Sequence, residues 1–210
     1  MNNIQETSTR RVILNLLKTR GFMTVNGLAK ELQITEMAVR RHLNTLERDG
    51  LIDSKLIRQA MGRPTQQYAL TELAEDLFPK NYHTLTLDLL QELEADEGEG
   101  TVARLFERRK DKLFLKYNDR MRDLPLEERV ALLTEIQNAG GYMASWSEAE
   151  DGGYLLQEHN CPISQVANQF NQACNCELQL FEQLLGTPVE RTECLAKGGQ
   201  KCTYRINAKT

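Results

Sequence analysis

Nothing in the 210 residues offers a long hydrophobic run. No stretch of about 18 apolar residues occurs, which excludes a membrane-spanning helix as an organising element. The opening MNNIQETSTRRVILNLLKTR lacks the basic, then apolar, then small-residue order of a secretory leader, so a cytoplasmic location and no membrane partner are expected. Histidine is scarce, with only His42, His83 and His159 in the chain. No Ser-His-Asp order, glycine-rich phosphate loop or metalloprotease motif occurs, and no catalytic residue is expected. Cysteine is missing from the first 160 positions, and all five, Cys161, Cys174, Cys176, Cys194 and Cys202, fall in the last 50. In a reducing compartment such a cluster points to metal or redox chemistry rather than structural disulfides, and the odd count argues the same way.

Positive charge is in deficit as well, with 26 Lys and Arg against 30 Asp and Glu and a net charge of −4. That figure averages two unlike segments. Residues 1–70 hold 11 basic against 6 acidic side chains, and the remaining 140 hold 15 against 24. Only the leading segment has the sign that attracts phosphate.

What is present in that segment is a succession of short amphipathic helices. Val12, Ile13, Leu16 and Leu17 recur at helical spacing, and Gly21 supplies a stop. Val25, Leu28, Ala29 and Leu32 share one face of a second helix, with Thr24 available as its cap. Thr35 caps a third, TEMAVRRHLNTLERDG, in which Val39, Leu43 and Leu46 form the inward stripe and Gly50 the end. At 3.6 residues per turn the opposite face carries Met37, Arg40, Arg41, Asn44 and Thr45. Side chains of these types reach bases and phosphates, and the second helix of a helix-turn-helix enters the major groove in this way. Two extended runs follow, Leu51–Ile57 and Gln66–Leu70, joined by a turn with Gly62, Arg63 and Pro64. They read as a β-hairpin wing with Arg63 at a tip that could enter the minor groove. The order TEMAVRRHLNTLERDGLI followed by GRPTQQYALT resembles the bacterial winged helix-turn-helix regulators. Thr35, Met37, Arg40, Arg41, Asn44 and Arg63 are therefore the candidate contacts to a double-stranded DNA operator.

The expected fold is α+β in three parts. Residues 1–78 form the winged helix-turn-helix domain, 79–100 a helical connector and 101–210 a cysteine-bearing sensor domain. Glu72–Phe78 starts a helix that halts at Pro79. In the connector, Tyr82, Leu85, Leu89, Leu90 and Leu93 mark an amphipathic helix, ended by the acidic, glycine-containing run at 95–100. Its apolar face needs cover, and a homodimer is the economical source because DNA half-sites are commonly read by symmetric pairs. Helices at 101–121 and 126–138 come next, with Arg108, Arg109 and Lys110 as a solvated basic face. YMASWSE and YLLQEHN then form a hairpin, one long helix runs from Pro162 to about Leu185, and VERTECLA and QKCTYRIN form a second hairpin.

No local ligand motif organises the cysteines. Cys174 and Cys176 differ by about 200° around their helix, so one of them at most faces a common site. Against the stripe Val166, Phe170, Ala173, Phe181 and Leu184, Glu177 sits at the centre, Cys174 at the flank and Cys176 elsewhere. A carboxylate on an apolar face needs a partner. Metal ligation, hydrogen bonds around a metal site, and an ion pair with Arg191 are the three options. His159 is a further candidate ligand.

The run HNCPISQVANQFNQACNCELQLFEQLLGTPVERTECLAKGGQKCTYRI resembles the cluster-binding region of the SufR-type regulators, ArsR- and DeoR-like winged-helix repressors of iron–sulfur cluster assembly genes. The resemblance implies an iron–sulfur cluster, of the [4Fe–4S] kind, held by Cys161, Cys174 and Cys202. Cys161 and Cys174 keep the family's twelve-residue gap, and Cys202 stands in its G..C.Y.I ending. Cys194 is taken as the fourth metal ligand, with Cys176, Glu177 and His159 as alternatives. Soft thiolates suit zinc equally well, and a structural zinc, a thiol redox switch or a small-ligand sensor are the competing readings of this half.

Overall fold

A computed structural model of the chain describes residues 8–58, 63–98, 100–150 and 152–208. The chain divides into two units, Met1–Lys80 and Asn81–Thr210.

The first unit opens with α1 (Thr9–Arg20) and a two-residue strand, β1 (Met23–Thr24), then α2 (Val25–Leu32) and α3 (Glu36–Arg48). Local chemistry sets these boundaries. The Thr24 hydroxyl accepts a hydrogen bond from the Gly27 amide at 3.1 Å and the Thr35 hydroxyl one from Ala38 at 3.2 Å. Each such cap contributes about 1 kcal/mol. Gln33 takes the left-handed conformation, φ 55°, to make the tight α2–α3 turn. The wing is β2 (Ile52–Ile57) paired antiparallel with β3 (Thr65–Leu70), and Gly62 of its turn lies outside the described residues. The sheet gains an edge that the sequence does not announce, because β1 pairs with β3 through Met23 and Tyr68. Ile13, Leu17, Leu28, Val39, Leu43, Leu46 and Ile52 fill the core. A 3₁₀ helix over Glu72–Leu77 replaces the expected helix start, since its six residues have only Ala74 buried. Phe78 after it lies under the Arg11 and Lys18 cations, and Lys18 pairs with Glu75 at 2.6 Å.

The second unit begins with α4 (Tyr82–Glu97), α5 (Thr101–Met121) and α6 (Leu126–Ala139). There follow β4 (Ala144–Glu148), β5 (Tyr154–Glu158), α7 (Ser164–Gln169), α8 (Gln172–Leu185), β6 (Val189–Glu193) and β7 (Cys202–Ile206). The four strands form an antiparallel sheet in the order β4-β5-β7-β6. α6 and α8 pack against the sheet and α5 lies along α8. Val130, Leu133, Leu156, Phe181, Leu184, Tyr204 and Ile206 are at the centre of the core. The α+β class is thus as expected, with one correction of continuity. The helix expected from Pro162 to Leu185 is two helices, because Phe170 breaks it at φ −117° and ψ 87°. Phe170 and Val166 bury with Leu87 and Val102, whereas Ala173, Phe181 and Leu184 belong to the main core, and one straight helix cannot serve both clusters.

Among the described residues no helix is long and apolar enough to cross a membrane. α4 is amphipathic in a particular sense. Leu87 is its buried residue, while Tyr82, Leu85 and Leu89 stand 70%, 57% and 61% exposed within the unit.

Candidate DNA-reading helix and cysteine site

On α3 the buried stripe Val39, Leu43 and Leu46 fixes which face looks outward. Met37, Arg40, Arg41 and Asn44 are all exposed, Met37 by 80%. Thr45 is half-buried and donates its hydroxyl to the Arg41 carbonyl, whereas Thr35 is exposed and, while accepting the Ala38 amide as the cap, keeps its own O–H to donate. Arg40 stands 3.8 Å from Glu36, an exposed and loose pair worth a few tenths of a kcal/mol. Arg63 is exposed near the wing turn. Two exposed cations, an amide and a thioether on a rigid helix match what base edges and phosphates require.

In the second unit Cys161 follows β5, Cys174 lies in the first turn of α8, Cys194 follows β6 and Cys202 opens β7. Cys174, Cys194 and Cys202 are buried and Cys161 is half-buried, and all five cysteines are free. These four are electrostatic neighbours drawn from separate segments. A thiolate at Cys194 raises the pKa of Cys161, Cys174 and Cys202, and one at Cys161 raises that of Cys174. Burial is the larger cause in each case, pushing Cys174 and Cys202 up to about 12. Two backbone amides oppose it: Ile163 donates to the Cys161 sulfur, and Leu195 to that of Cys202 at 3.4 Å. Gly199 closes the β6–β7 connection so tightly that a Cβ there would stand 2.9 Å from the Cys194 carbonyl oxygen. Among the described residues, no three His, Cys, Asp or Glu side chains converge closely enough to hold a metal ion. The thiols therefore share a neighbourhood without forming one ion's tetrahedron. As a donor set they fit a soft-metal group, and a multi-iron cluster, which spreads its thiolates over several irons, asks for less convergence than a single ion does.

Cys176 is elsewhere. Its thiol donates to Glu107 at 3.4 Å, and burial followed by that carboxylate pushes its pKa up to about 11. The basic run of α5 is split in consequence. Arg108 and Arg109 are exposed, but Lys110 is not the solvated residue expected, since it is 10% exposed and held by Glu107 and by Gln179 at 3.0 Å. His159 is exposed beside β5.

Residues 7–54 match the family model described as bacterial regulatory protein, arsR family. That match falls on the α1–α2–α3 unit, with α2 and α3 capped by Thr24 and Thr35, and on the start of the β2–β3 wing. The chain is a winged-helix transcriptional regulator. Among solved structures, the regulator is similar to a cysteine-to-serine mutant of Lactococcus lactis ZitR in complex with DNA, at 25% identity over 54% of this chain and 81% of that one, TM-score 0.30. It is similar also to Lactococcus lactis ZitR described as a zinc-responsive MarR family member, at 25% identity, 55% and 79% coverage and TM-score 0.31. Bacillus subtilis PadR in complex with operator DNA gives 14% identity, 84% and 97% coverage and TM-score 0.30. A search of curated proteins gave no match.

Beside the regulator's cysteines lie two buried carboxylates, only one of which the sequence singles out. Glu177 accepts hydrogen bonds from Tyr204, at 3.0 Å, and from Tyr142. Arg191 acts on it only through its charge, because its guanidinium donates to the Cys174 carbonyl at 2.9 Å. Glu158 is the residue missed. It is 1% exposed, accepts from Gln137 at 2.6 Å, and shares the inward parity of Leu156 on β5, which is the signal that could have found it. Burial first and the Glu177 charge second push its pKa up to about 8. The sign is that of an acid stabilised when protonated: the contribution is complete below about 4.5 and disappears as pH rises through about 8. Glu158→Gln keeps the acceptor for Gln137 and removes the titration. In iron-free protein the variant should match the wild type at pH 5 and exceed it at pH 8 by on the order of a few kcal/mol in urea unfolding. An equal difference at both pH values would mean that Glu158 is ionised throughout.

Proposed function

We propose that the regulator is a cytoplasmic repressor whose operator affinity is set by an iron–sulfur cluster in the second unit. The observation that carries this reading is the selective gathering of four cysteines. Cys161, Cys174 and Cys202, from separate stretches, each lie within the electrostatic reach of Cys194, while Cys176 lies apart with Glu107. Burial keeps the Cys161, Cys174 and Cys202 thiols neutral and an unloaded site tolerable, and loading must displace their protons. When bound, a cluster supplies a centre that oxygen, nitric oxide or iron shortage can remove.

The chain's own residues give that event a route. The Ile163 and Leu195 amides hold the Cys161 and Cys202 sulfurs, and Arg191 anchors the first turn of α8 at Cys174. α8 packs along α5, and α5 along α4. In this reading α4 is the dimer helix, its exposed Leu85 and Leu89 covered by a second copy, so that the site's state sets the spacing of two α3 helices. Residues 79–100 would then act as the connector between a DNA-binding 1–78 and a sensing 101–210.

The test is operator binding by anaerobically purified protein before and after iron removal. A brown protein that binds its operator at least about tenfold more tightly when loaded supports the reading. Equal affinities would remove the cluster from the switch, and a colourless protein with stoichiometric zinc would replace it.

A further inference from the structure

α4, α5 and the start of α7 enclose a cavity of about 400 Å³ that the reading above does not use. That volume falls in the range of small-molecule sites, roughly 300–1,000 Å³. Its floor is Leu90, Phe106 and Val166, which also back the small cluster of Leu87, Val102 and Phe170. Its rim carries His83, Arg109 and Gln165. Two features narrow the occupant. Among the described residues no Asp or Glu lines the cavity, although acidic residues outnumber basic ones from position 71 onward. The Arg109 side chain makes no ion pair or hydrogen bond with another described residue, although its charge reaches Glu177, whereas its neighbour Lys110 is held by Glu107 and Gln179. An exposed guanidinium with no hydrogen-bonded side-chain partner among the described residues, beside an apolar bed, is complementary to one anionic head on an apolar body.

We propose that this cavity binds an amphiphilic carboxylate, its apolar body against Leu90, Phe106 and Val166 and its anionic group paired with Arg109. Both open-chain and aromatic acids have that chemistry. The site is separate from the proposed dimer face, because Tyr82, Thr86 and Leu90 line the cavity side of α4 while Leu85 and Leu89 lie outside it. It is also placed to communicate. Pro162 and Ile163 in its wall directly follow Cys161, and Arg109 lines a second cavity, of about 120 Å³, together with Glu177 and Tyr142. Its charge favours the ionised form of Glu177, so a ligand that engages Arg109 draws on the same cation.

Calorimetric titration of the full-length protein with sodium decanoate, sodium 2-naphthoate and decylamine tests the assignment. Saturable binding of one carboxylate per chain, by either acid, and none by the amine is the expected result. Arg109→Gln should weaken it by about tenfold or more. Val166→Trp should abolish it by filling the floor. Leu105→Glu, at a rim position 40% exposed and therefore harmless to folding, should abolish it by repulsion. Absence of saturable carboxylate binding, or affinity unchanged in both Leu105→Glu and Val166→Trp, would overturn the proposal. Iron content measured on the same samples keeps the two readings apart. Colourless protein that binds the acid counts against the cluster alone, and brown protein that does not counts against the cavity alone.

Discussion

Cys174→Ser protein, purified and reconstituted without oxygen, should be colourless and retain less than about a tenth of the iron and sulfide of the wild type. Serine preserves the shape of the side chain but replaces a soft, readily ionised ligand atom with a hard hydroxyl that does not ionise near neutrality. Cys174 is buried at the start of α8, within the electrostatic reach of Cys161 and Cys194 and with its own carbonyl held by Arg191. The substitution would therefore remove a proposed ligand without loosening the turn that presents it. Cys161→Ser, Cys194→Ser and Cys202→Ser should behave alike, since Cys194 lies within the electrostatic reach of the other three. Cys176→Ser should remain brown, because that thiol is engaged with Glu107 on another face of α8. Iron analysis on the five single variants decides the matter. Full iron in Cys161→Ser, Cys174→Ser, Cys194→Ser and Cys202→Ser would move the ligands to other side chains, and loss only in Cys176→Ser would invert the assignment.

The winged helix was legible in the sequence because its signals are local. Thr24 and Thr35 cap helices within three residues of themselves, and the stripe Val39, Leu43 and Leu46 fixes the outward face of α3 by periodicity alone. The same geometry separated Cys174 from Cys176 and put Glu177 at the centre of the buried face. What escaped was non-local. β1 exists because Met23 meets Tyr68 across the sheet, and two residues have no periodicity to read. The break at Phe170 follows from two clusters competing for one stretch of chain, where every residue from Ser164 onward is compatible with a continuous helix. Lys110 reads as solvated until α8 brings Gln179 to it. Glu158 looks like an ordinary polar strand end until Gln137, on α6, and Tyr204, on β7, close over it. The cysteine site lies between these cases, since each thiol's element could be read but their common neighbourhood is a property of the β5, α8 and β6–β7 packing.

Exchanging both Arg40 and Arg41 for Ala should weaken operator binding by at least about a hundredfold while leaving thermal unfolding almost unchanged. The two effects separate because these side chains stabilise little at home. Both are exposed, Arg41 makes no side-chain hydrogen bond or ion pair with a described residue, and Arg40 has only a loose pairing with Glu36. In the complex each would meet a phosphate or a guanine edge, where one good interaction is worth about 1–3 kcal/mol of affinity or discrimination. Salt dependence tells which. An arginine that neutralises one phosphate adds about 0.9 to the slope of log affinity against log salt, and its removal takes that much away. Removing an arginine that reads a base instead leaves the slope in place and flattens the preference for operator over random duplex. Asn44→Ala, one turn further on, should act on specificity with no change in slope, as befits an uncharged amide suited to adenine. If the double variant bound its operator as tightly as the wild type, the outward face of α3 would not be the surface in the groove. The positive excess of residues 1–70 would then have to act through the wing at Arg63 or through α1 instead.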